Sequence, residues 1–206
     1  MTIRFHKGDL PESLDLGPIV AIDTETLGLQ VKRDRLCVVQ LSRGDGSADV
    51  VQIAPGQTRA PQLEALLADR NVLKLFHFGR FDMATLSNAF GVMPEPVYCT
   101  KIASKLARTY TDRHGLKDLV RELAGAEISK QQQSSDWGAE ALSDAQLAYA
   151  ASDVLYLHVL REKLDAMLAR EGRDGHARAA FAYLPDRVRL DLAGFEPMDI
   201  FSHGAP

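Results

Sequence analysis

A chain of 206 residues, 46% hydrophobic and 25% charged, has the make-up of one globular domain with a substantial core. Its net charge of −4 argues against the broad electropositive face that grips long duplex nucleic acid, and no apolar run approaches the ~18 residues that span a bilayer. The first 17 residues carry charge without an apolar stretch or cleavage site, so no secretory signal is expected. Cys37 and Cys99, both in apolar surroundings, are expected as buried free thiols of a cytoplasmic protein.

Along the chain, residues 18–22 form an apolar run after a glycine and are read as a buried strand ending at Asp23. Alternation then points Asp23 and Glu25 the same way at the end of that strand. Two like charges so placed repel and raise each other's pKa unless a cation lies between them, and carboxylate oxygens are the ligands Mg²⁺ and Mn²⁺ prefer. Residues 36–41 and 48–53 read as two strands of an antiparallel hairpin turning at Arg43-Gly44-Asp45-Gly46. A short helix over 61–69 and a strand over 72–76 follow, then a helix over 80–90 with Asp82 in its first turn, where the dipole favours a carboxylate. His77, at the strand end, reads as a hydrogen-bonded residue.

Beyond Pro94 and Pro96, helices are expected over 100–108 and 115–123. This stretch holds a local surplus of four positive charges between Lys101 and Arg121, suited to an anionic ligand. The longest helix is expected to start at Ser143, whose spacing to Gln146 is that of a capping box, and to end at Gly172. It carries Tyr149 and Asp153 one turn apart on one face. Strands first with helices interleaved after give an α/β fold, a mixed sheet flanked by helices, as one domain over 1–206. Four carboxylates on a strand, a helix start and a long helix are what a two-metal phosphoryl-transfer site needs, with Tyr149 beside the attacking water.

The blocks AIDTETLGL, HFGRFDM and YAASD resemble the three motifs of the DEDD superfamily of 3′→5′ exonucleases, which have a ribonuclease H-like fold. The Y-x-x-x-D spacing resembles the tyrosine subclass, since the histidine subclass would need His where Ala148 stands. The likeness covers roughly residues 15–170 and extends to ribonuclease D-type segments around RHGLKDL and SKQQQSSDW. It implies Asp23, Glu25, Asp82 and Asp153 as ligands of two cations, Mg²⁺ or Mn²⁺, and Tyr149 as the residue that positions water. The chain stops about 36 residues past the long helix, too few for the accessory domains of ribonuclease D. It is most similar to the nano-RNase C type, which implies cleavage of short RNA, especially dinucleotides, by a ring-shaped homo-oligomer, an octamer. The apolar tail of residues 173–206, a helix and an extension, is then an expected subunit interface. For the substrate, Leu29 is the candidate wedge against the bases and Tyr110 a stacking platform. His77, Arg108, Arg113, His114, Lys130 and Gln133 are the remaining candidates for holding bases or the 5′-phosphate. A broader exonuclease on RNA 3′ ends or DNA is the alternative. A silent nucleic-acid-binding module is a third reading, opposed by carboxylates that would repel a polyanion.

Overall fold

A computed structural model describes residues 2–129 and 131–203. Among these residues the centre of the molecule is a six-stranded sheet ordered β1-β4-β3-β2-β5-β6. The expected strands are present as β2 (Ile19–Thr26), β3 (Leu36–Ser42), β4 (Ser47–Gln52) and β5 (Leu73–Phe76). β3 pairs antiparallel with both β4 and β2, and β5 runs parallel to β2. β2 is thus interior to the sheet, and its acids at 23 and 25 sit at its C-terminal end.

Two strands are additions to the expected set. β1 (Thr2–Lys7) lies parallel to β4, with Arg4 opposite Asp49. Besides the backbone ladder, charged side chains tie it down: Arg4 donates to both Asp49 oxygens, at 2.8 and 2.6 Å, and His6 Nε2 lies 2.8 Å from Oδ1. β6 (Val97–Cys99) extends the other edge alongside β5.

Helices α1 (Pro61–Ala68), α2 (Arg80–Phe90) and α3 (Thr100–Ala107) follow the expected spans closely. The helix expected over 115–123 is α4 (Leu116–Leu119) continuing as a π-helical turn to Ala124. The single long helix expected from Ser143 is two: α5 (Asp144–Leu155) and α6 (Leu157–Arg170). They part at Tyr156 (φ −101°, ψ −7°), and two residues on His158 Nε2 lies 3.1 Å from the carbonyl of Ile19 at the start of β2. α7 (Asp174–Leu190) buries Phe181, Leu184 and Val188 in the protein's own core, whereas Phe195, Met198, Ile200 and Phe201 beyond it are exposed.

The sheet separates two apolar clusters. Val39, Leu41 and Val51 belong to the larger one, and Val38 and Val50 join Trp137 and Ala150 of α5 in the smaller. The whole is the ribonuclease H-like mixed sheet flanked by helices that the sequence led us to expect. No helix among the described residues is long and apolar enough to cross a membrane. Cys37 and Cys99 are free and buried.

Candidate active site

Three elements converge at the C-terminal end of β2. The first is β2 itself, which carries Asp23 and Glu25. Opposite Asp23 on β3 stands Gln40, fully buried, whose Nε2 donates to Asp23 Oδ2 at 2.6 Å. Thr24, between the two acids, points to the other face of the strand, and there its hydroxyl donates to Asp82 Oδ1 at 2.7 Å.

Asp82 comes from the second element, the first turn of α2. The chain reaches it through a tight turn in which Phe78 takes a left-handed conformation (φ 65°). Gly79 has no room for a side chain, because a Cβ there would lie 2.6 Å from that of Phe76. The third element, α5, supplies Tyr149 and Asp153. It comes close to the sheet because Ala150 and Ala151, both fully buried, present nothing larger than a methyl group. The capping box of Ser143 and Gln146 starts this helix, and the same Gln146 amide donates to Ser135 Oγ (3.2 Å) and the Asp136 carbonyl (3.0 Å). The loop before α5 is thereby fastened to its first turn.

Asp23, Glu25 and Asp153 each offer a carboxylate oxygen within 4.8 Å of the others. Such an all-oxygen set suits a hard divalent cation, and nothing softer stands in the group. Asp82 is more deeply buried, behind Thr24, but near enough to raise the pKa of Asp23 and Glu25. Burial first, and then the neighbouring acids, hold these groups toward the neutral form. Asp23 is raised well above the usual carboxylate range by burial, Asp82, Asp153 and Glu25, with the Gln40 hydrogen bond opposing. Glu25 is pushed up to about 9 by burial, Asp153 and Asp82. Burial lifts Asp82 to about 7 against the hydrogen bond from Thr24. Tyr149 is hydrogen-bonded to Asp153, and burial followed by Asp153, Glu25 and Asp23 raises its pKa as well. Without a counter-cation this is a costly concentration of like charge; with one, the repulsion becomes ligand attraction.

A cavity of about 520 Å³ opens onto this cluster. It is lined by Asp23, Glu25, Tyr149 and Asp153, by Leu27 to Leu29 and Phe81, and by Gln133, Ser134, Ser135 and Trp137, whose ring packs 5.9 Å from that of Tyr149. Leu29 stands at its edge, 83% exposed, so it is placed to meet a ligand. Leu29 and Gln133, both singled out from the sequence, therefore reach the site.

Other candidates do not. Arg108, one of the candidates for holding bases or the 5′-phosphate, is fully buried and pairs with Glu122; it also donates to the Arg113 carbonyl (2.9 Å), Ser104 Oγ (3.2 Å) and the Tyr110 hydroxyl (3.4 Å). Its charge serves the α3–α4 connection. His77 is likewise internal: Nδ1 donates to Thr100 Oγ1 at 2.9 Å, and that hydroxyl in turn donates to the Phe76 carbonyl. Burial and the nearby Lys101 lower its pKa to about 3, so it stays neutral. Tyr110 and Arg113 are exposed and His114 bonds Ser104, all on the α3–α4 connection rather than the cavity wall. Lys130 lies outside the described residues.

Gln40, Thr24, Phe81, Ser134, Ser135 and Trp137 were not singled out from the sequence. For Gln40 a signal was there, because an amide within an otherwise apolar strand needs a partner. Phe81 and Trp137 lie inside the quoted blocks HFGRFDM and SKQQQSSDW but were given no role of their own.

Residues 5–169 match the model of a family described as 3′-5′ exonuclease. The chain is 39% identical over 175 residues to a ribonuclease D of Gluconacetobacter diazotrophicus, covering 85% of this chain and 44% of that one. It therefore spans less than half the length of that curated relative. The structure superposes on Brucella melitensis NrnC with bound Mg²⁺ at a TM-score of 0.96 and 61% identity, over 99% of this chain and 100% of the other. Brucella melitensis NrnC bound to pGG gives a TM-score of 0.96 and 62% identity over the same shares.

Proposed function

The chain belongs to this 3′-5′ exonuclease family, and from that premise we propose that it is a metal-dependent exoribonuclease that hydrolyses very short RNA, dinucleotides above all, to nucleoside 5′-monophosphates. The observation that carries the reading is the cavity itself, in which three convergent carboxylates and a phenol face a space with an exposed leucine at its rim. The near-complete likeness to a protein solved with pGG supports the substrate class. The ribonuclease D relatives support RNA as the polymer.

In this reading Asp23, Glu25, Asp82 and Asp153 hold two divalent cations, Mg²⁺ or Mn²⁺. When bound, these neutralise the phosphate and acidify the attacking water. The chain's own groups do the rest. Tyr149, kept protonated by burial and then by its acidic neighbours, orients the water by hydrogen bonding rather than by removing its proton. Gln40 and Thr24 hold two of the carboxylates from behind. Leu29 abuts the bases, and Gln133, with its serine neighbours, offers hydrogen bonds to the strand from across the cavity. We also assign the protein to the cytoplasm and expect self-association into a homo-oligomer, an octamer, through the exposed apolar tail.

Labelled RNAs of two and seven nucleotides, each incubated with Mg²⁺ or Mn²⁺, test the proposal. The dinucleotide should disappear faster by at least about tenfold, and Asp23→Ala should lower the rate by about 10³-fold or more. Equal decay of both lengths would remove the dinucleotide preference and favour a broader exonuclease. Near-normal activity in Asp23→Ala would remove the mechanism. A monomeric mass in solution would dispose of the oligomer.

A further inference from the structure

Gln40 stands in a place where an amide is a poor choice for stability alone. It lies in the middle of β3, fully buried, in a strand whose other side chains from Leu36 to Leu41 are apolar. Its Oε1 has no hydrogen-bond partner among the described residues, so only half of the amide is satisfied. The satisfied half points at one atom, Asp23 Oδ2, 2.6 Å away across the β2–β3 pair. Asp23 lies near all three other acids, as Glu25 does, and of the two it is the one that a buried side chain on β3 holds.

We propose that Gln40 is a positioning residue for the cation site, holding the Asp23 carboxylate in the rotamer that presents its remaining lone pairs to the ligand cluster. A neutral donor suits this task better than a charged one. Lysine or arginine at 40 would form an ion pair with Asp23 and compete with the cation for it, whereas an amide N–H fixes the oxygen without cancelling its charge. The register of the sheet makes the aim possible: position 40 is the direct cross-strand partner of position 23, so the two side chains project from the same face. Val38, two residues earlier, occupies the equivalent position opposite Glu25 and fills space in the smaller core. It is the natural control.

This inference rests on the proposed metal-dependent activity, and the experiment separates the two. Gln40→Met keeps the length and burial of the side chain and removes the donor; Val38→Ala loosens the same face without touching Asp23. Calorimetric titration with Mg²⁺ in the absence of RNA, dinucleotide hydrolysis over a Mg²⁺ series, and thermal melting are measured on the whole chain. Gln40→Met should bind Mg²⁺ about 10–100-fold more weakly. Its rate loss should shrink as Mg²⁺ is raised, with KM for RNA changed less than twofold and no drop in Tm. Val38→Ala should lower Tm and leave the Mg²⁺ midpoint in place. Wild-type Mg²⁺ affinity in Gln40→Met overturns the inference, as does an equal shift of the midpoint in both variants. If Gln40→Met fails to fold, Gln40→Asn, whose amide is one methylene short of Asp23, is held to the same criteria. A wild-type protein that binds Mg²⁺ yet leaves RNA intact refutes the proposed activity alone, and calorimetry still decides the role of Gln40.

Discussion

Tyr149 enters the site as a phenol. Burial and three neighbouring acids raise its pKa, so the proton stays on, and in the proposed mechanism its use is alignment. Tyr149→Phe should therefore cut kcat by about 10²-fold while KM and the Mg²⁺ midpoint hold, a pattern that steady-state kinetics over a Mg²⁺ series would show. His77 makes the opposite case, a titratable group spent on structure. Its pKa of about 3 lies below the ordinary 6.5, so between these values the folded chain carries fewer protons than the unfolded one. The stability it contributes is complete above pH 6.5 and is lost as pH falls toward 3, at roughly 1.4 kcal/mol per pH unit. In urea titrations from pH 7 to 4, His77→Gln should lose stability less steeply than the wild type; parallel curves would exonerate the imidazole. That Asp23, Glu25, Asp82, Tyr149 and Asp153 come together in the fold was legible because the proposed chemistry asks for particular residue types at fixed spacings. Arg108 was misread because a cation in a basic stretch looks the same in sequence whether it faces solvent or Glu122, which lies 14 residues on.

Among the elements, the strands most readable from sequence were those whose stability is local. β2, β3 and β4 are apolar runs bounded by turns, and a buried sheet is the natural place for them. β1 was invisible because Thr2–Lys7 alternates charged with apolar residues, and Arg4 and His6 find their partner in Asp49, more than forty residues away. β6 is three residues long and follows two prolines. The break at Tyr156 was hidden for a related reason, since the apolar stripe runs through it and no proline or glycine marks it. α5 repays a direct test. Ala150 is fully buried in the smaller core with Val38 and Val50, so Ala150→Leu must lift the helix off the sheet. We expect a loss of about 1–3 kcal/mol in denaturant unfolding and a far larger relative loss of activity, because Asp153 moves with the helix. Retained activity would mean that α5 tolerates a shifted seat.

At the scale of the whole molecule, the tail divides. α7 is part of the core, while the segment after it is pinned by Arg80, which donates to Asp191 at 2.5 and 2.8 Å and to the Glu196 carbonyl at 2.8 Å. Its apolar groups stay exposed, so of the stretch 173–206 read from sequence as a subunit interface, the helical half packs into the chain's own core and the part beyond it leaves apolar groups in the open. The site has a similar long reach, since its acids run from residue 23 to residue 153 and meet only in the finished fold. Asp153 rides on α5 while Asp23 and Glu25 belong to β2, so in the proposed site any fluctuation that lifts the helix separates the carboxylates that would share a cation. Backbone amides of α5 that exchange with deuterium through such openings should gain protection as Mg²⁺ is added, about tenfold for each tenfold rise above its Kd. Amides of β1, at the far edge of the sheet, should exchange at a rate that the ion leaves alone.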